Sequence, residues 1–139
     1  SWTKVESYRT SNGPLQRSGT VFADWGVPTA VSVIAARRVF NQEATVIASG
    51  GIMNGLDVAR SIAIGADIGG IARGVLLEFL EHGHAGAVQF IETLAHELKM
   101  AMILTGSADL SALRSAPKIV GQQLQRYVDG LKWTDGDLT

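Results

Sequence analysis

The chain of 139 residues contains no cysteine. Disulfides, thiolate metal sites and cysteine nucleophiles are therefore excluded, and the absence fits a reducing, cytoplasmic setting. No apolar run reaches the roughly 20 residues that a membrane-spanning helix needs, so no membrane partner is expected. Charge of either sign is not in excess: 12 Lys and Arg face 13 Asp and Glu, for a formal net charge of −1. That balance provides no field to hold nucleic acid, so any basic site must be local. Three histidines and no cysteine are a poor supply for a site that wants three or four ligands, and no metal is expected in this chain. The opening Ser1-Trp2-Thr3-Lys4 has neither an initiator methionine nor the character of a signal peptide. It reads as a chain cut or renumbered at its start.

Hydrophobic residues make up 46% of the chain, enough for a core, and the length fits one domain. From Ser1 to Gly19 the sequence is polar, with a turn signal at Ser11-Asn12-Gly13-Pro14; a loop with at most a short helix is expected. Pro28 suits the first turn of a helix, and Val31, Ile34, Ala35 and Val39 give it one apolar face. Ala44-Thr45-Val46-Ile47-Ala48 is short, apolar and β-branched, the pattern of a strand buried on both faces. It ends at Ser49-Gly50-Gly51. A helix comes next over Leu56–Ile64, with Gly65 placed as its terminating glycine. A second strand reads through Asp67–Ala72, which completes a βαβ unit.

Beyond it the chain is helical. Ala87, Val88, Ile91, Leu94, Ala95, Leu98 and Met102 recur at helical spacing. Thr105-Gly106-Ser107 breaks that helix, and Ser107 is a candidate cap for the next. A last helix is expected over Ile119–Val128, with a loose tail from Trp133. Two parallel strands cannot make a self-sufficient sheet, because their faces and edges stay uncovered. The strands need partners from outside this chain.

Chemistry concentrates in Ser49-Gly50-Gly51-Ile52-Met53-Asn54-Gly55-Leu56-Asp57, then in Gly65-Ala66-Asp67 and Ile71-Ala72-Arg73. A phosphate needs bare backbone N–H groups, glycines that let them approach and a helix N-terminus aimed at it. Gly50-Gly51 ends one strand just before a helix, and Arg73 ends the next, where its guanidinium can grip phosphate with two N–H groups. Gly50, Gly51, Ile52, Met53, Ala72 and Arg73 are therefore the candidate phosphate cradle. The plainer alternative is a simple strand-to-helix turn with Arg73 as a surface cation.

The same run is similar to the FMN-phosphate segment shared by several flavin barrels, among them the 2-hydroxy-acid oxidases, and to the phosphate barrels of inosine-monophosphate dehydrogenase. Three further segments resemble type 2 isopentenyl-diphosphate isomerase: Ser1-Trp2-Thr3-Lys4-Val5-Glu6, Trp25-Gly26-Val27-Pro28-Thr29-Ala30, and Glu97-Leu98 with Met102-Ile103-Leu104-Thr105-Gly106. The oxidases place Asp before the Gly-Gly pair, whereas this chain has Ser49. The resemblance covers the chain from Ser1 to about Val120. It implies an α/β fold in which residues 1–139 form the C-terminal part of a (β/α)8 barrel, its last strands and helices, incomplete alone.

It further implies FMN contacts at Gly51, Ile52, Met53, Ala72 and Arg73, and the isomerisation of isopentenyl diphosphate to dimethylallyl diphosphate by reduced FMN. The family often carries Arg where this chain has Met53, so Arg73 stands as the compensating cation. The family's catalytic residues and its magnesium-binding glutamate lie upstream of the matching region. No catalytic or metal-binding residue is therefore expected here, and the Mg2+ and NADPH sites are expected elsewhere. The implied partners are the N-terminal half of the same barrel, the substrate isopentenyl diphosphate, and further copies in a homo-oligomer. The alternatives are a 2-hydroxy-acid oxidase-like barrel and a non-catalytic half-barrel that binds phosphate or assembles through its open edges.

Other residues have plainer readings. His82-Gly83-His84 reads as a pair of solvated loop histidines rather than a metal site, and His96 as a packed or surface side chain. Leu98, Met100, Met102 and Leu104 read as helix core, with a subunit interface as the alternative. Glu6 and Asp24 are isolated carboxylates, and Trp2 and Trp25 are candidates for packing or for covering a flavin. Arg37-Arg38 reads as an exposed basic helix end.

Overall fold

Glycine, proline and short polar side chains punctuate the chain, and helices and strands fill the intervals between them. The computed structural model describes residues 2–11, 13–41 and 43–131. In chain order it holds α1 (Trp2–Arg9), α2 (Gly13–Val21), α3 (Thr29–Phe40), β1 (Ile47–Ser49), α4 (Gly55–Ala63), β2 (Ile68–Gly70), α5 (Arg73–Leu104), α6 (Leu110–Ser115) and α7 (Gln122–Gly130). None of these helices is long and apolar enough to cross a membrane.

The centre of the fold is the βαβ unit. β1 and β2 pair in parallel, with Ile47 opposite Ile68, Ala48 opposite Gly69 and Ser49 opposite Gly70. α4 makes the crossover. Its start is fixed by Asn54, whose side chain accepts the amide of Asp57 at 2.8 Å. Its end is fixed by Gly65 at φ +120°, a conformation that side chains resist. There the Ala66 amide donates to the Ser61 carbonyl and the Gly65 amide to that of Ile62, the paired bonds of a glycine-led helix stop.

Two small cores form, one between α3 and β1 and one between α4, α5 and α6. In the first, Val33 of α3 meets Val46, Ala48 and Ala66. In the second, Ala59 and Ile62 of α4 meet Ala101 and Leu113, with Leu98 and Met102 against them. Gly55 and Gly69 allow the close approaches. A Cβ on Gly69 would lie 3.0 Å from the Val58 side chain, and one on Gly55 would strike Glu97 and the backbone of α5.

Several expectations change. The strand 44–49 is not buried on both faces: Ala48 is buried, but Ile47 is 59% exposed and its neighbour Ile68 is 49% exposed. Helices cover one face of the pair only, and within the described residues nothing lies on the other. The polar stretch 1–19 forms two helices rather than a loop. Ser107 caps nothing: it closes the end of α5 with Gly106, and its hydroxyl meets that of Thr105 at 2.9 Å. Asp109 caps α6 instead, accepting the Ala112 amide at 2.7 Å, because a carboxylate two residues further on sits at the true first turn.

The last helix begins at Gln122 rather than Ile119, since Pro117 and Gly121 flank an extended stretch. α5 breaks at Gly83 (φ +67°, ψ −158°), so His82-Gly83-His84 is a hinge between two helical segments, not a loop. Gly74 lies against the ring of Phe90, which folds the two segments back on each other. Leu98 and Met102 pack as core, but Met100 is 43% and Leu104 81% exposed, because they lie on the side of α5 away from α4. The tail from Trp133 and the side chains of Trp2 and Glu6 lie outside the described residues.

Asp67 ties these parts together. One carboxylate oxygen accepts the Val46 amide at 2.8 Å and pairs with the Arg37 guanidinium; the other accepts Arg114 Nη2 at 2.7 Å. Arg37 also donates to the Gly65 carbonyl at 2.7 Å, and Arg114 to that of Ala66 at 3.0 Å. Arg37 is thus a structural cation rather than part of an exposed helix end, while Arg38 is not drawn into this network. The Val46 amide, against the opposing effect of burial and with help from Arg37 and Arg114, holds the Asp67 carboxyl below its ordinary value. A carboxyl lowered in the folded state stabilises the fold fully above its unfolded pKa of about 3.9, and that contribution is lost as pH falls through the lower folded value. The midpoint of urea unfolding should therefore fall on acidification below about pH 4. Asp67→Asn should lower stability at neutral pH by about 1.5–3 kcal/mol and flatten that acid dependence. An unchanged midpoint in the variant would show that the clasp is not stabilising.

Candidate functional site

Parallel pairing brings the segments leaving β1 and β2 to the same edge of the sheet. After β1 the chain turns through Gly50 (φ +96°) and Gly51 (φ +80°), both in the left-handed region where glycine is favoured. After β2 it passes Ile71 and Ala72 and enters α5 at Arg73. Gly50, Gly51, Ala72 and Arg73 line one open groove of about 1180 Å³. Its other walls include Asp24, Trp25, Val27, Thr29 and Leu76. Trp25 is 79% exposed and stands edge-on to Phe22, with ring centroids 5.9 Å apart at 84°. The groove thus combines exposed apolar side chains with backbone and guanidinium donors.

The hydrogen bonds decide which donors are free. The helix N-terminus expected to face a phosphate is that of α4, and it is already satisfied. Asn54 takes the Asp57 amide, and Glu97 Oε2 takes the Gly55 amide at 2.6 Å. The Met53 amide donates to Asp57 Oδ2 at 3.2 Å. A cap and a ligand compete for the same amides, and here the caps hold them. α5 differs: its N-cap, Ala72, makes no side-chain cap bond, and its first residue is Arg73 in the groove wall. Among the described residues the amides of Gly51 and Ile52 have no acceptor, and Arg73 has no ion-pair partner. The α5 N-terminus, these amides and Arg73 together suit an anion.

Four of the six cradle residues therefore share the large groove. Ile52 is buried and lines a second groove of about 380 Å³, which Gly50, Gly51 and Thr29 also border, together with Asp57, Arg60 and Lys118. Met53 is 46% exposed and lines neither. Gly65-Ala66-Asp67 lies at the opposite end of β2 from Arg73, so that part of the run serves the Asp67 clasp.

Sequence reasoning gave Thr29 no role. Its hydroxyl donates to the Gly50 carbonyl at 2.8 Å, with the Ser49 carbonyl at 3.3 Å. The signal available was a hydroxyl at the first turn of α3, ordinarily read as a cap. His82 pairs with Glu78 across 3.1 Å, and His96 is exposed on α5. Among the described residues no group of three or more His, Cys, Asp or Glu is placed to hold a metal.

Inorganic phosphate should bind this groove with an affinity that falls as salt rises. Arg73→Ala should weaken it roughly tenfold or more, since a charge-assisted hydrogen bond is lost, whereas Met53→Ala should leave it unchanged. Isothermal titration checks both; equal binding by the Arg73 variant would remove the groove as an anion site.

The chain matches the model of FMN-dependent dehydrogenase over residues 23–120. It is 40% identical over 131 residues to the isopentenyl-diphosphate delta-isomerase of Sulfurisphaera tokodaii, covering 93% of this chain and 35% of that protein. The enzyme of the same name from Methanopyrus kandleri is 36% identical over 128 residues, 92% of this chain and 35% of the relative. That from Methanothrix thermoacetophila is 43% identical over 123 residues, 86% and 33%. The resemblance to these isomerases holds over most of the chain, which spans about a third of the length of the curated relatives it matches. The matched region 23–120 contains both strands, the crossover helix and the groove's Gly50, Gly51 and Arg73, and by that match the chain belongs to the FMN-dependent dehydrogenase family.

Proposed function

We propose that this chain supplies the phosphate end of the FMN site in an FMN-dependent isopentenyl-diphosphate delta-isomerase. The observation that carries the proposal is the convergence of the Gly50-Gly51 turn and Arg73 on one groove, in a chain 40% identical to such an isomerase. The residues present fit a phosphate monoester. The free amide at Gly51, an uncapped α5 N-terminus and Arg73 can all donate into the groove, and no carboxylate among the described residues is paired with Arg73. Bound in reduced form, FMN supplies the chemistry that moves a proton across the allylic unit of isopentenyl diphosphate to give dimethylallyl diphosphate.

This chain's own residues hold and orient. Gly51 and Arg73 fix the phosphate, and Trp25, Val27 and Leu76 offer apolar surface to a flat ring in the same groove. The exposed Ile47 and Ile68 are the face that further strands of a (β/α)8 barrel would cover, and those strands are proposed to come from the barrel's N-terminal half. The substrate site, the Mg2+ and NADPH sites and the catalytic groups belong to that half, so this chain alone is inactive. The assembled enzyme is proposed to be a cytoplasmic homo-oligomer.

A 2-hydroxy-acid oxidase-like barrel is the nearest alternative within the family, and Ser49 and the Met102–Gly106 segment favour the isomerase. A half-barrel that only assembles is favoured by one observation, the bare Ile47–Ile68 face.

The test is reconstitution. This chain is mixed with the N-terminal two-thirds of the Sulfurisphaera tokodaii isomerase, reduced FMN, NADPH and Mg2+, and dimethylallyl diphosphate is quantified. Product is expected in the mixture and in neither part alone, with the two visible bands of oxidised FMN retained after desalting. A mixture that takes up FMN but oxidises a 2-hydroxy acid instead would move the assignment to the oxidases. Self-association without flavin uptake would leave the assembly reading.

A further inference from the structure

Gly50 and Gly51 form a glycine–glycine peptide in the groove wall. Both residues sit at positive φ, and glycine crosses between such conformations with little steric resistance. Unrestrained, the peptide plane between them would rotate. A trans peptide is flat, and its C=O and N–H point in opposite directions. Fixing the Gly50 oxygen therefore fixes the direction of the Gly51 N–H. The Thr29 hydroxyl does this, donating to the Gly50 carbonyl at 2.8 Å. The Ser49 carbonyl, at 3.3 Å, lies within its reach on the preceding peptide.

Thr29 is itself held. It is the first residue of α3, behind Pro28 at φ −56° and ψ 144°. The hydroxyl also packs closely on the turn, since a Cβ on Gly50 would lie 3.1 Å from Thr29 Oγ1. The far side of the turn is braced too, by Asp57 on the Met53 amide and Asn54 on the Asp57 amide. Between the two braces lie the amides of Gly51 and Ile52, which have no acceptor among the described residues.

We infer that Thr29 is a positioning residue for the anion site: its hydroxyl locks the Gly50-Gly51 peptide so that the Gly51 N–H is held ready for the phosphate of a flavin mononucleotide. The inference rests on the proposed FMN-phosphate reading and adds a residue to it. Thr29 touches the backbone of the turn, and its effect on the ligand passes through Gly51.

The test uses Thr29→Val, which keeps shape and removes the hydroxyl, Thr29→Ser, which keeps the hydroxyl, and Arg73→Ala. FMN and riboflavin, which lacks the phosphate, are titrated by flavin fluorescence into the chain mixed with the N-terminal two-thirds of the Sulfurisphaera tokodaii isomerase, and urea unfolding of the chain is followed in parallel. Thr29→Val is expected to weaken FMN roughly 3- to 10-fold, the value of one hydrogen bond, and to leave riboflavin unchanged. Thr29→Ser is expected to restore FMN binding to within about twofold. Equal losses for both flavins, or a loss that tracks the unfolding midpoint, would mean a merely structural threonine and would overturn the inference. So would unchanged FMN binding in Thr29→Val while Arg73→Ala weakens it. If Arg73→Ala also has no effect, or the mixture with the unsubstituted chain takes up no FMN, the FMN-phosphate reading itself fails.

Discussion

Asp67 sits at the junction where four segments must agree. Its carboxylate joins the last turn of α3 through Arg37, the entry to β1 through the Val46 amide, and α6 through Arg114. The same two arginines reach the carbonyls that end the crossover, Gly65 and Ala66. A part-buried carboxylate that accepts this many donors is favourable only when all the partners are in place. The register of β1 against β2 depends on it, because Asp67 precedes β2 directly and Val46 precedes β1. Once that register is set, the chain leaves both strands at the same end, after Ser49 and after Gly70.

The two ends of the βαβ unit therefore have opposite characters. At the Asp67 end the guanidinium and amide donors converge on acceptors within the chain. At the Gly50 end the α4 N-terminus is closed by Asn54 and Glu97, while the α5 N-terminus and Arg73 are left open. Ile52 is buried, while Gly51, Ala72 and Arg73 are exposed, so these donors are open to water and accessible to an anion. The difference between the helices is local chemistry: Asn54 can reach back to the first turn of α4, and Ala72 has no side chain that could do so for α5.

The large apolar side chains left in water have the same geometric origin. Two strands expose one sheet face, and Ile47 and Ile68 meet on it in register. Leu76, Phe79 and Leu80 are exposed along the first segment of α5, and Ile103 and Leu104 at the end of the second. Apolar surface on this scale is costly in water. It is in keeping with a chain that spans about a third of the length of its relatives.

Local signals in the sequence were strong enough to place the βαβ unit: the β-branched run before Ser49, the helical spacing after Asn54, the glycine stop at Gly65 and the long helical pattern up to Met102. Composition alone excluded disulfides and thiolate sites, and three ordered motifs carried the family. The sequence could not assign the donors. Asn54, Ser107 and Asp109 are equally good caps on paper, and only the folded geometry decides which amide each one meets. Arg37 and Arg38 are adjacent and alike in charge, yet helix rotation turns only one of them onto Asp67. Thr29 and Gly50 lie 21 residues apart in sequence, and no periodicity links them. Local propensity and patterning act over a few residues and are written in order along the chain. The pairing of a hydroxyl with a distant carbonyl, or of one carboxylate with two arginines, exists only once packing has brought the segments together.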